Sequence, residues 1–240
     1  MLKHMLISLG SLMVAGAVHA APVPYGPSAY KSFADSPFNG LTLGYFFLED
    51  FEDGLFNTPG VTGVSNTPGT TLAVGGPGGN TDSVDGDDGN PNDGGSGGRS
   101  LGGSPNVVTG PAGFTFTFDA LVLGFLPTHV GIVFTDGSPG RKSEFEAFDE
   151  NGDSLGIIEG FAADGRFGDT TGEDHFLGME NATGISSFRI YNPNSINNME
   201  VDHLQYGGPA PVPVPTSALL LMGGLGVLTV ARRRASALRG

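Results

Sequence analysis

Ser143–Glu159 reads SEFEAFDENGDSLGIIE, two strand-like runs around Asn151-Gly152. That pair tolerates positive φ, so the stretch carries the signature of a β-hairpin. Upstream, FTFTFD sets Phe114, Phe116 and Phe118 on one face by alternation, and HVGIVFTD (129–136) has strand composition. Downstream follow HFLGME, ISSFRIY and MEVDHLQYG, separated by polar turns. At least eight short strands, with no amphipathic helix between the two termini, predict an all-β chain. The architecture expected is an antiparallel β-sandwich of jelly-roll type, with the phenylalanines in its core.

Before the hairpin region, LTLGYFFLEDFEDG (Leu41–Gly54) predicts a long first strand, with Leu41, Leu43, Tyr45 and Phe47 on one face. Residues 57–113 are dominated by Gly, Asn, Pro, Thr, Ser and Asp, interrupted by short apolar pieces such as TTLAV. They read as a long stretch without regular structure, with a Gly/Asp-rich loop at 75–112, either functional or disordered.

The chain has 240 residues and no cysteine, which excludes disulfides, thiolate metal sites and cysteine nucleophiles. Its ends differ from its body. Residues 1–20 read as a signal peptide, with Lys3 and His4 ahead of an apolar run and Val18-His19-Ala20 at the expected cleavage point. Residues 21–208 form the predicted ectodomain, about the size of one β-sandwich. This segment holds all 25 acidic residues and six of the eleven basic ones, an excess of nineteen negative charges. Such a charge disfavours nucleic acid and anionic lipid and favours cations.

Residues 209–215 are a proline-rich linker. The uncharged run 216–231 predicts a short transmembrane helix, and residues 232–240 a basic cytoplasmic tail in which Arg232, Arg233 and Arg234 act as the membrane stop. This order of signal peptide, acidic ectodomain, proline motif, Gly/Leu-rich span and arginine cluster resembles the PEP-CTERM proteins of bacteria. In that family the motif usually reads Val-Pro-Glu-Pro; here it is Val212-Pro213-Val214-Pro215. The resemblance implies a sorting protease of exosortase type as partner and transient anchoring in the inner membrane. It further implies delivery to the cell surface or an extracellular exopolysaccharide matrix.

The acidic clusters are the candidate chemistry. DSVDGDDGNPND crowds aspartates into a loop from residue 82 onward. Either a hard cation relieves their mutual repulsion, or the loop is solvated and flexible. Glu49, Asp50, Glu52 and Asp53 stand at the end of the predicted first strand, and Asp202 stands in the last. This layout is similar to that of jelly-roll carbohydrate-binding modules, which hold a structural calcium between their first and last strands. The similarity implies Ca2+ as cofactor, with Glu52, Asp85, Asp87, Asp88 and Asp202 as ligands.

No HExxH or Gly-x-Ser-x-Gly motif occurs. With so many carboxylates, an acidic pair suited to glycoside hydrolysis is unavoidable and therefore uninformative. The expectation is a non-enzymatic surface or matrix protein that contacts exopolysaccharide; the alternative is a secreted glycan-active hydrolase using paired carboxylates. Trp is absent and Tyr numbers only five, which argues against a strong lectin.

Overall fold

A computed structural model describes residues 20–75, 81–84, 98–104, 112–163, 172–193 and 199–209. Asp85, Asp87, Asp88, Val212–Pro215, the span 216–231, Arg232–Arg234 and all but the last residue of the predicted signal peptide lie outside them. The described chain forms β1 Val23–Ala29, β2 Tyr45–Glu49, β3 Val61–Ser65, β4 Thr71–Val74, β5 Leu101–Ser104 and β6 Ala112–Phe118. A one-turn helix, α1 Ala120–Leu123, leads to β7 His129–Asp136, β8 Lys142–Phe148, β9 Ser154–Ala162, β10 His175–Glu180, β11 Ser187–Asn192 and β12 Glu200–Gly208.

All strand pairs are antiparallel and fall into two sheets. The seven-stranded sheet runs β1-β10-β7-β12-β5-β4, with β2 also paired to β12; the five-stranded sheet runs β3-β6-β11-β8-β9. Between them lies the main core. Phe114, Phe116, Phe118, Phe145, Phe188 and Ile190 come from one sheet, and Val130, Ile132, Phe134, Leu177, Val201, Leu204 and Tyr206 from the other. Phe188 stacks on Phe116 and Phe145 at 5.0 and 4.9 Å between ring centroids, so neighbouring strands are tied by aromatic pairs as well as by their ladders. A smaller cluster of Tyr30, Phe38, Val84, Val133 and Phe176 covers the outer side of the seven-stranded sheet.

The hairpin forms between β8 and β9. Gly152 takes φ +82°, its N–H donates to Asp149 O at 3.1 Å, and Asp149 N–H donates to Asp153 O at 3.0 Å. The turn therefore spans Asp149–Asp153 with a single left-handed residue, the glycine.

Two expectations change. The strand predicted at Leu41–Gly54 is confined to Tyr45–Glu49, and it is second in order. Leu41 is exposed, and the chain leaves extended geometry at Phe51, whose φ is +58°. The first strand is Val23–Ala29, in the proline-containing lead, where a bulge between Tyr25 and Ser28 carries the strand past its second proline. Within the stretch read as irregular, β3, β4 and β5 form. Their residues are small and weakly apolar, and pairing with β6 and β12 supplies what local propensity lacks.

Candidate functional site

The last strand builds the first candidate site. On one edge β12 pairs with β7 throughout; on the other, β2 covers Leu204–Gly208 and β5 covers Glu200–Val201. Asp202 and His203 fall in the gap between β2 and β5. Against β7, Asp202 pairs with Val133 and Gln205 with Gly131, so β12 spends one residue more than its partner. That extra residue is a β-bulge, marked by His203 at φ +43°. The bulge turns Asp202 and Gln205 to the outer side of the sheet while Val201, Leu204 and Tyr206 remain in the core.

The Asp202 carboxylate is fully buried. It accepts Val84 N–H at 2.9 Å and His203 N–H at 2.6 Å. Burial pushes its pKa well above the ordinary carboxylate range, and the negative charges of Glu52 and Asp50 push further, against these two hydrogen bonds. Two residues upstream, Glu200 accepts from Asp82 N–H and Ser100 Oγ. Its pKa rises to about 7, chiefly by burial and also by the charge of Asp136. His203 is pulled down to about 4 by burial, opposed by Asp50.

Asp50 and Glu52 are held by the turn that ends β2. Glu49, itself buried, accepts Phe51 N–H, Asn57 N–H, Thr58 N–H and Thr58 Oγ at 3.2, 2.9, 3.0 and 3.1 Å. Glu52 Oε1 accepts Arg99 N–H at 2.6 Å. Of the expected ligands, Glu52 lies near enough for its charge to raise the Asp202 pKa, and Val84, just before the aspartate loop, donates its N–H to Asp202. Among the described residues no three acidic or histidine side chains converge at metal-ligating range. Asp85, Asp87 and Asp88, the other ligands expected for calcium, lie outside the described residues. The chemistry of Glu52 and Asp202 fits a hard cation: a buried carboxylate beside two others is relieved by positive charge and oxygen-ligand demand.

A second site lies on the outer face of the five-stranded sheet and was missed from the sequence. Asn66, Thr115, Arg189 and Tyr191 line a shallow concavity of about 240 Å³. Arg189 and Tyr191 alternate with the core residues Phe188 and Ile190, so both point outward. The Arg189 guanidinium lies over the Tyr191 ring at 4.4 Å. It binds Glu146 Oε2 through Nε at 2.8 Å and Nη2 at 2.6 Å. Tyr191 OH donates to Glu144 at 2.5 Å, and burial with that carboxylate raises the phenol to about 12, so it stays neutral. Thr115 Oγ donates to Asn66 Oδ1 at 2.7 Å. The signal in the sequence is the period-two alternation of SFRIYN, which puts Arg189 and Tyr191 on one face.

Ser143 and His175 resemble half of a nucleophile–base pair at 3.1 Å, but both are fully buried. His175 Nδ1 donates to the main-chain carbonyl of Glu173, which fixes Nε2 as the acceptor for Ser143, and with both side chains buried no substrate reaches the pair.

No protein-family model matches the chain, and no curated protein matches it significantly. Solved structures give distant likenesses. The enzymatically active domain of bacteriophage CBA120 tailspike protein 4 is 15% identical with TM-score 0.38, over 66% of this chain and only 20% of that one. The CBM22-1 xylan-binding domain of Paenibacillus barcinonensis Xyn10C is 18% identical with TM-score 0.40, over 70% of this chain and 97% of that one. The Clostridium thermocellum endo-1,4-β-D-xylanase 10B CBM22-1–GH10 modules, complexed with xylohexaose, are 14% identical with TM-score 0.38, over 68% and 28% of the two chains. The all-β, antiparallel, sandwich-like architecture rests on the strand pairing and core described above.

Proposed function

We propose that this chain is an exported, non-enzymatic protein of the cell surface or extracellular matrix, whose jelly-roll-like sandwich contacts polysaccharide. The outward face of the five-stranded sheet carries this reading, because it sets an aromatic ring, a guanidinium and amide and hydroxyl groups around one concavity. Rings and planar polar groups of this kind suit a sugar, which offers an apolar face edged by hydroxyls. The reading of export draws on the leader at 1–20 and on the PEP-CTERM-like tail with its Val212–Pro215 motif and Arg232–Arg234 cluster. Calcium at Glu52, Asp202 and the aspartate loop would supply a fixed positive charge that ties β2, β12 and that loop together.

Glycan-array binding by the purified chain, with no release of reducing sugar from any glycan bound, is the expected result. Turnover abolished by one carboxylate-to-amide substitution would establish a hydrolase instead. For export, the mature protein recovered from the cell surface is expected to end near the proline motif by mass spectrometry. An intact C-terminus there would count against sorting cleavage.

A further inference from the structure

We infer that the Asn66–Thr115–Arg189–Tyr191 concavity selects neutral glycans and turns away uronate-bearing ones. This rests on the polysaccharide reading above and adds the ligand class and the residues that set it.

The selection follows from charge. Arg189 is the cation of the concavity, and Glu146 matches it at 2.6 Å. Glu146 is further fixed by Ser154 Oγ, which donates to its other oxygen at 2.6 Å. Glu144, bound to the Tyr191 hydroxyl, adds a negative charge that no ion pair among the described residues balances. On the neighbouring strand Glu144 faces Glu159, whose partner Lys142 sits 2.5 Å away and is thereby neutralised. A sugar carboxylate entering here meets a net negative wall, inside an ectodomain that is itself strongly acidic. Over a few ångströms that repulsion survives physiological salt, since the Debye length is about 8 Å.

Neutral hydroxyls fare differently. A carboxylate accepts from a sugar O–H, while Arg189 Nη1 carries two further donors and the Asn66 amide, with Oδ1 taken by Thr115, donates through Nδ2. The volume of about 240 Å³ is below the ~300 Å³ at which pockets for small molecules begin, which suits one ring held weakly on a repeating polymer.

Native affinity electrophoresis of the full-length chain at about 150 mM salt tests this. The probes are hydroxyethylcellulose, galactomannan and dextran as neutral polymers, against alginate and polygalacturonate. Wild type is expected to be retarded by at least one neutral polymer and by neither uronate. Tyr191→Ala should abolish the retardation in a chain that still melts cooperatively, and Glu144→Lys, which reverses the local charge, should gain retardation by alginate. No retardation by any polymer would remove the polysaccharide reading itself. Retardation of wild type by alginate would leave that reading standing and overturn the selectivity. Neutral binding that persists in a folded Tyr191→Ala chain would overturn the assignment to this concavity.

Discussion

His175 accepts a hydrogen bond from Ser143 Oγ at 3.1 Å, joining β10 of one sheet to β8 of the other. Because Nδ1 donates to Glu173 O at 2.6 Å, Nε2 is the unprotonated nitrogen, and it accepts Phe161 N–H at 3.3 Å as well. The ring is satisfied only while neutral. Burial accordingly lowers its pKa from 6.5 to about 4, against the Glu173 bond. The unfolded chain therefore binds a proton more readily than the folded one between those values. The stability His175 contributes is complete above pH 6.5 and lost as pH falls through 4, an amount of roughly 3 kcal/mol at most. His175→Gln should flatten the decline in melting temperature between pH 7 and pH 4.5 relative to wild type. Parallel declines in the two proteins would show that this ring does not titrate as argued.

Glu49 should be among the costliest single residues outside the aromatic core. Its carboxylate satisfies three main-chain N–H groups and one hydroxyl in the turn after β2. Glu49→Ala leaves those donors without their acceptor, at about 2–4 kcal/mol in urea unfolding, whereas Asp53→Ala in the same turn, an exposed carboxylate, should cost well under 1 kcal/mol. Equal costs would mean that the turn is held by its side-chain packing alone. Glu49→Gln, which keeps one acceptor oxygen, is expected in between.

The calcium reading predicts a particular coupling between metal and pH. Without a cation, the raised pKa of Asp202 means that its stabilising contribution is present below the unfolded-state value and lost as pH rises. Chelator should then lower the melting temperature more at pH 8 than at pH 6, and calcium at about a hundred times its Kd should restore about 2.7 kcal/mol. Asp202→Asn removes the buried charge at the cost of one acceptor oxygen for Val84 N–H or His203 N–H, so this variant should lose the pH dependence in chelator and be indifferent to added calcium. A wild-type melting curve unmoved by either chelator or calcium would reject the metal.

Much of the sandwich was legible because its strands from β6 onward alternate strongly. Phe114, Phe116 and Phe118 are buried between the exposed or half-buried Thr115 and Thr117, as period two requires. Illegible strands were those whose pairing is decided by a distant partner. Val61–Ser65 and Leu101–Ser104 have no distinctive pattern alone, and they form because β6 and β12 present open edges. Conversely, Leu41 and Leu43 show the right alternation but lie outside β2, which begins only at Tyr45, opposite Gly208. That Glu52 lies near enough for its charge to act on Asp202 accords with their places just past the end of one strand and within another, β2 and β12 being paired. The bulge at His203, which turns Asp202 outward, has no mark in the sequence that distinguishes it from a continuous strand. The outward triplet Arg189, Tyr191 and Glu144 required knowing that β8 and β11 are neighbours.

Gly131 and Gly178 face each other across β7 and β10 and leave bare backbone on the outer side of the sheet, where the Phe176 ring lies. A Cβ at Gly131 would overlap Cζ of that ring, and one at Gly178 would stand 2.8 Å from its Cε1. The ring has little room to retreat, since Phe38 meets it edge-on at 5.3 Å and Tyr30 stacks at 6.1 Å. Tyr30 in turn accepts from Gln205 Nε2 at 3.0 Å, so displacement would reach the outer side of β12 beside Asp202. Gly131→Ala is therefore expected to cost about 1–3 kcal/mol by overpacking. Phe176→Leu removes the atoms that a new methyl would strike, so Gly131→Ala should cost less in that background, and the two changes should show a favourable coupling of about 1 kcal/mol in a double-mutant cycle. Strict additivity of the two costs would show that the backbone, not the ring, is what excludes a side chain at position 131.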